Sequence, residues 1–144
     1  MNATIDKFGH PATSIAEYDH WIVLLRPQAV TLGSLVLAAR SDATAYGALP
    51  PEAFAEQARV IADIETALGA AVRYEKINYL MLMMVDREVH YHVFPRYEGT
   101  RTHDGLSIAD AGWPKTPDLG SAIPLDATTI AAQVAWLKGH WPAR

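Results

Sequence analysis

A carboxylate and two imidazoles occupy alternate positions in one short segment of this chain, at Glu88, His90 and His92. In a β-strand, every second side chain points to the same face, so the spacing predicts that these groups share a face with Phe94. A neutral imidazole can attack phosphorus and form a covalent intermediate. The segment therefore predicts a catalytic strand, and Pro95, which has no N–H to donate, is expected to end it.

The same three side chains allow a second chemistry, because histidine and carboxylate also bind zinc, iron and manganese. A metal site built from Glu88, His90 and His92 is therefore kept as an alternative. Cupin-like barrels use a His-x-His pair followed closely by a glutamate, whereas the next glutamate here is Glu98. This spacing favours a histidine nucleophile over a metal site, so we expect no bound metal and no other cofactor.

Segment 88–96 resembles the signature of the histidine triad (HIT) family, in which three histidines alternate with apolar residues and Pro-Arg often follows. The first histidine of that signature falls on Glu88, the second on His90 and the third on His92. HIT enzymes are nucleotide hydrolases and nucleotidyl transferases that cleave at the α-phosphate of a nucleotide. The resemblance implies that His90 is the nucleophile that forms a nucleotidyl-histidine intermediate, and that His92 binds and polarises the phosphate.

Four further residues are predicted to bind the substrate. Asn78, on the preceding strand, matches an asparagine that contacts the nucleotide near the scissile phosphate in HIT proteins. Ser34 stands where the family has a histidine, and its hydroxyl is expected to donate a hydrogen bond in its place. Arg96 offers a positive charge near the site, and the carboxylate of Glu88 can orient an imidazole or stabilise it as the imidazolium.

Departures from the family pattern leave a second function open. Glu88 replaces the first histidine, and residues 83–87 lack the glutamine and hydroxyl residue that supply phosphate contacts just before the motif in HIT proteins. The alternative is a HIT-fold protein that binds a nucleotide with little turnover. The fate of a bound nucleotide distinguishes the two functions.

Hydrophobic patterns predict the strands that position these residues. Short apolar runs at 21–25 and 35–39 predict two buried strands that pair. The longer run at 72–85 predicts a central strand, which is expected to form a hairpin with the His-x-His strand through residues 86–87. Glycines and prolines break any period in segment 98–126, so this segment is predicted to be irregular, and either functional or wrapped over another surface.

A long helix is predicted between these pairs of strands. Pro51 suits its first position, Leu68 is its last predicted residue, and Gly69 is the expected C-cap. The apolar residues follow the spacing of an amphipathic helix. They are Phe54, Ala58, Ile61, Ile64 and Leu68.

Strands grouped around one long helix predict an α+β fold with an antiparallel sheet. A last helix is expected at about 127–138, between an N-cap at Asp126 and Gly139. HIT domains are similar, and the resemblance, which covers about residues 15–97, implies a five-stranded antiparallel sheet, a long helix, a C-terminal helix and pairing as a homodimer. We therefore expect a single HIT-like domain over residues 1–144.

The composition narrows the possible partners and the location. The 144 residues are 50% hydrophobic and 19% charged, with a net charge of −4. This acidic balance argues against a nucleic-acid polymer as partner, because such a partner needs a basic face. The chain has no cysteine, which excludes disulfides and thiolate metal sites. With no signal-peptide pattern and no apolar run long enough for a bilayer, we expect a cytoplasmic protein without a membrane partner.

Overall fold

A five-stranded antiparallel sheet lies at the centre of the computed structural model, which describes residues 1–143. The strands are β1 (Ser14–Glu17), β2 (Trp21–Leu25), β3 (Gln28–Ala29), β4 (Leu35–Ala39), β5 (Lys76–Leu80), β6 (His90–Arg96), β7 (Thr100–His103), β8 (Leu106–Ala109) and β9 (Ile123–Pro124). The helices are α1 (Ala3–Lys7), α2 (Pro51–Val72) and α3 (Ala127–His140). The central sheet has the order β1-β2-β4-β6-β5, so the predicted α+β fold is confirmed.

The three middle strands of the central sheet, β2, β4 and β6, are buried on both faces. Every residue of β2 and β4 is buried, as a continuous apolar run predicts. One face forms the main core with α2 and α3. On the other face, Ile22, Leu24, Val36 and Ala38 form a second apolar cluster with Ile5 of α1. The two strands predicted from apolar runs are confirmed.

Helix α2 begins at Pro51, as predicted, but it ends later than predicted. It continues past Gly69 to Val72, whose side chain is buried. The residue that closes the helix is Arg73, which has a φ of 56° and donates its N–H to the carbonyls of Leu68 and Gly69. The predicted C-cap at Gly69 is therefore wrong, because the alanines and valine after it continue the helix into the core.

The buried face of α2 is also shifted by about one residue from the predicted stripe. Phe54 and Ala58 are exposed. The residues that face the core are Ala53, Gln57, Val60, Ile64, Ala67, Leu68 and Val72. A polar residue, Gln57, occupies one of these positions, and for this reason hydrophobicity did not reveal the true face.

The strand predicted over 72–85 is much shorter in the structure, and its predicted central position is wrong, because β5 lies at the edge of the sheet. Val72 belongs to helix α2. Residues 81–89 form a loop in which Met83 has a φ of 50°. Strands β5 and β6 do pair in antiparallel orientation. They are joined by this loop, and the tight hairpin predicted at residues 86–87 is wrong.

Strand β6 corrects two further expectations about the His-x-His segment. It begins at His90, so Glu88 lies in the preceding loop and does not share the face of the strand. It also continues through Pro95 to Arg96. Strand β4 pairs with β6 only as far as Val93, and a strand with a partner on one side tolerates proline when its missing N–H would have faced the open side.

Segment 98–126, predicted to be irregular, contains regular structure. Strands β7 and β8 form a hairpin. The hairpin turns at Asp104 and Gly105, whose φ values are 49° and 80°, as a two-residue turn with two positive φ angles requires. Strand β9 pairs with β3. The prediction of an irregular segment is therefore wrong over the hairpin.

Helix α3 follows this segment. The carboxylate of Asp126 accepts a hydrogen bond from the N–H of Thr129 at 2.8 Å, which confirms the predicted N-cap. The helix passes through Gly139 and ends at His140, so its predicted end is wrong by two residues. Among the helices of residues 1–143, none combines the length and the apolar character needed to cross a membrane.

Candidate active site

His90 is the first residue of β6 and is almost completely buried, with 2% of its surface exposed. Its Nδ1 lies 2.8 Å from the backbone carbonyl oxygen of Glu88. Because a carbonyl only accepts hydrogen bonds, Nδ1 carries the proton in the neutral ring and Nε2 carries the lone pair. The backbone therefore fixes the tautomer of the neutral ring and leaves Nε2 as the atom that is able to act as a nucleophile.

His92 lies on the same face of β6 but has the opposite tautomer. Nε of Arg26 donates a hydrogen bond to Nδ1 of His92 at 3.3 Å, so Nε2 carries the proton. Burial, together with the charges of Arg26 and His90, lowers the pKa of His92 to about 4. His92 is therefore neutral at physiological pH and offers an N–H donor beside His90.

The two imidazoles line a cleft of about 330 Å³. Their ring centres are 5.1 Å apart, and the ring of Phe8, which follows α1, lies 5.9 Å from each of them. Lys7 and Arg26 bring positive charge to the walls of this cleft. Of the predicted site residues, the structure brings His90 and His92 together here.

The carboxylate of Glu88 points to α1. Its Oε1 accepts hydrogen bonds from the N–H of Thr4 at 3.1 Å and from the hydroxyl of Thr4 at 2.8 Å. Glu88 thus acts on His90 through its backbone carbonyl. The alternative metal site on Glu88, His90 and His92 is not formed, and nowhere in residues 1–143 do three or more His, Cys, Asp or Glu side chains gather to hold a metal ion.

Ser34 is buried in the turn that precedes β4, with 1% of its surface exposed. Its hydroxyl donates to the carbonyl of Thr31 at 2.8 Å and accepts from the N–H of Thr31 at 2.9 Å. Gly33, inside this turn, has a φ of 84°. The structure therefore engages the hydroxyl of Ser34 in closing the turn.

Asn78 and Arg96 bind each other across β5 and β6. Nη1 of Arg96 donates to the side-chain oxygen of Asn78 at 2.7 Å, and two other nitrogens of Arg96 donate to the carboxylate of Asp110 at 2.7 Å and 3.1 Å. Across the strand ladder, the residue opposite His92 is Leu80. The structure thus places Asn78 and Arg96 in a polar network of their own, apart from the cleft of the two histidines.

Among the residues that line the cleft, Lys7, Phe8 and Arg26 were not predicted from the sequence. Arg26 stands at the end of β2, far from the histidine motif in the chain, so no spacing connects it to the motif. A signal for α1 was present, because Asn2 is a good N-cap residue and its side chain accepts from the N–H of Ile5. That signal predicts a helix but not the surface on which it packs.

Solved structures of histidine triad proteins share this fold. A histidine triad protein from Bradyrhizobium japonicum is 20% identical, with a TM-score of 0.74 over 98% of this chain and 96% of that chain. A histidine triad (HIT) protein from Sinorhizobium meliloti is 22% identical, with a TM-score of 0.74 over 97% and 95%. A hypothetical histidine triad nucleotide-binding protein from Sulfolobus tokodaii is 15% identical, with a TM-score of 0.68 over 95% and 88%. No family model and no curated protein matches the chain.

These similarities show the fold of this chain. Its five-stranded antiparallel sheet, with α2 and α3 on one face, is the histidine triad fold. The resemblance to histidine triad proteins, which the motif carries, is therefore confirmed at the level of the fold. Within that fold, the chain carries glutamate at the first position of the motif and histidines at the second and third.

Proposed function

We propose that this protein is a HIT-like nucleotide hydrolase or nucleotidyl transferase that cleaves at the α-phosphate through His90. The observation that carries the proposal is the tautomer of His90, because the carbonyl of Glu88 holds the proton on Nδ1 and leaves the lone pair on Nε2. The positive charge of Arg26 in the same cleft favours a phosphate. The Sulfolobus tokodaii protein with this fold is described as nucleotide-binding.

In the first step, Nε2 of His90 attacks the α-phosphorus. An N–P bond forms, the bond from phosphorus to the leaving group breaks, and the leaving group departs with the electron pair and takes a proton from solvent. The imidazole becomes a cation, and its Nδ1–H still donates to the carbonyl of Glu88, which stabilises the charge. The Nε2–H of His92 donates to a non-bridging oxygen, where negative charge develops.

In the second step, water attacks the phosphorus of the nucleotidyl-histidine. The water loses a proton to solvent, the N–P bond breaks, and its electron pair returns to Nε2 of His90. The products are a nucleoside monophosphate and the free enzyme. If an acceptor hydroxyl replaces water, the same step is a nucleotidyl transfer.

A nucleotide-binding protein with little turnover is the second candidate, and the position of α1 favours it. Phe8 lies 5.9 Å from both imidazoles, and Ile5 packs on the neighbouring apolar surface of the sheet. The segment that carries them therefore restricts access to the nucleophile. A nucleotide held away from Nε2 of His90 is bound without being cleaved.

Release of AMP tests the proposed enzyme. The substrates are a dinucleoside polyphosphate, adenosine 5′-phosphoramidate and an adenylylated lysine analogue. His90→Ala is expected to lower release by at least about 10³-fold, because it removes the nucleophile. Mass spectrometry of the rapidly quenched wild-type reaction is expected to detect an adenylyl group on the peptide that contains His90.

His103→Ala is the matched control, because this histidine stacks on Trp136 in another part of the molecule. It is expected to release AMP at the wild-type rate. Release that persists in His90→Ala would show that His90 is not the nucleophile. A wild-type protein that binds the nucleotides and releases no AMP would favour the binding protein.

A further inference from the structure

Arg26 carries a half-buried positive charge that forms no ion pair with an acidic side chain of residues 1–143. Arg96, which is buried, is bound by Asp110 at 2.7 Å. Lys7, in the same cleft as Arg26, is paired with Asp86 at 2.7 Å. Burial lowers the pKa of Arg26, yet arginine stays charged at physiological pH. A desolvated cation without a counter-ion is costly unless a ligand supplies one.

Three contacts fix the position of the guanidinium of Arg26. Its Nε donates to Nδ1 of His92 at 3.3 Å, and its Nη1 donates to the carbonyl of Gln28 at 2.5 Å. Its Cζ lies 5.6 Å from the ring centre of Phe94. Within the described part of the chain, Nη2 makes no hydrogen bond, so its N–H groups remain for a ligand in the cleft.

The cleft offers few other donors for an anion. Its loop, at 82–86, contributes four apolar side chains and the carboxylate of Asp86. In its neutral form, His90 presents a lone pair at Nε2, and His92 supplies a single N–H. The charge of Lys7 is already balanced. Arg26 is therefore the main source of unpaired positive charge beside His90.

We propose that Arg26 binds the phosphoryl group that His90 attacks, through its Nη2 side, and that it holds His92 in the tautomer that donates from Nε2. The identity of this group as a nucleotide phosphate rests on the proposed function, whereas binding of a phosphate anion does not. Arginine suits this role because its planar donors match the geometry of phosphate oxygens. The ligand is thus a phosphate monoester or diester whose phosphorus lies next to Nε2 of His90.

Kinetics of AMP release from adenosine 5′-phosphoramidate give the first test. Arg26→Gln is expected to lower kcat/KM by about 100-fold. Arg26→Lys is expected to recover part of this loss, because it keeps the charge without the planar fork. Arg87→Gln is the matched control: it removes the same charge from an exposed arginine in the neighbouring loop, and wild-type kinetics are expected.

Calorimetric titration with AMP, adenosine and inorganic phosphate separates an anion contact from a structural effect. Arg26→Gln is expected to weaken AMP binding at least about tenfold, to abolish phosphate binding and to leave adenosine binding unchanged. Equal weakening of AMP and adenosine would indicate a structural role and overturn the proposal. Unchanged AMP binding in Arg26→Gln, or a wild-type protein that binds neither AMP nor phosphate, would also overturn it.

The outcomes keep the two proposals apart. If the wild-type protein binds AMP and phosphate through Arg26 but cleaves none of the substrates, the proposed enzyme fails and the anion site stands. If His90→Ala abolishes cleavage while Arg26→Gln leaves cleavage and AMP binding intact, the enzyme stands and the role of Arg26 is wrong.

Discussion

At the scale of single residues, two histidines on one strand differ because they have different partners. Nδ1 of His90 donates to the carbonyl of Glu88, whereas Nδ1 of His92 accepts from Arg26. One ring therefore presents a lone pair at Nε2 and the other presents an N–H. A nucleophile and a donor for the phosphate oxygens arise from the same residue type, as the proposed reaction requires.

We predict that His92 makes the fold less stable as the solution is acidified. In the folded protein, burial and the nearby charges lower its pKa from the ordinary value of 6.5 to about 4. Between these two values the unfolded chain binds a proton that the folded protein does not, so the free energy of unfolding decreases as the pH falls through this window. Above the window, His92 is neutral in both states and adds no pH dependence.

Urea unfolding of the wild type and His92→Gln at about pH 7 and about pH 5 measures this effect. The variant lacks the titrating ring, so the wild type is expected to lose stability relative to the variant at the lower pH. Arg26→Gln is the control for the cause, and it should reduce the effect without abolishing it, since burial is the larger cause. An equal difference in unfolding free energy at both pH values would contradict the prediction.

At the scale of elements, α1 gives the glutamate of the motif a structural role. The carboxylate of Glu88 binds the N–H and the hydroxyl of Thr4, and the amide of Asn2 donates to the carbonyls of Ala39 and Ser41. These contacts hold a helix of one turn against the sheet and place Phe8 over the histidines. A histidine at this position has no carboxylate to offer to α1.

We predict that Glu88→His, which restores the three histidines of the motif, loosens α1. A hydrogen bond to a charged acceptor contributes about 1.5–3 kcal/mol, so loss of the acceptor should speed amide exchange of Thr4 at least about tenfold. Hydrogen exchange of the segment that contains α1, followed by NMR or mass spectrometry, measures the change.

Asp86→Asn is the control for this substitution. It removes the ion pair that Lys7 of α1 forms with Asp86 of the loop, and the side chain of Lys7 is 52% exposed. An ion pair of this kind contributes little, so exchange in α1 should stay close to that of the wild type. Equal exchange in Glu88→His and the wild type would show that the carboxylate does not anchor the helix.

The elements also show which features a sequence reveals. Strands β2 and β4 were predictable because both faces are buried and the chain is therefore continuously apolar there. The end of α2 was not predictable, because a non-glycine residue, Arg73, adopts the left-handed conformation there. The length of β5 was not predictable either, because the apolar run continues into a loop where Met84 and Val85 are exposed.

The part of the candidate site that depends on local strand geometry was predictable, and the rest was not. Alternation along one strand placed His90 and His92 on a common face, and this depends on local geometry alone. The contact of Arg26 with His92 joins residues 66 positions apart, and the contact of Thr4 with Glu88 joins residues 84 positions apart. Such contacts depend on the packing of distant elements, which local patterns do not specify.

At the scale of the whole molecule, the loop after β5 presents an exposed apolar surface. Leu82, Met84 and Val85, in the loop after β5, are 44%, 82% and 81% exposed. Within residues 1–143, β5 pairs with β6 alone, so its outer edge lacks a partner strand, and a groove of about 690 Å³ runs along this strand and residues 113–117. Adjacent apolar side chains and an open strand edge are typical of a surface that another chain covers.

We propose that a second copy of the chain covers this surface and that the protein is a homodimer. Analytical ultracentrifugation is expected to show a dimer for the wild type and a monomer for the double variant Met84→Glu/Val85→Glu, because two carboxylates cannot be buried there without partners. Phe54→Glu is the matched control, since this residue is 40% exposed on helix α2 and lines neither the loop nor the groove, and the variant should remain a dimer. A monomeric wild type, or a double variant that remains dimeric while its circular dichroism shows it folded, would rule out this interface.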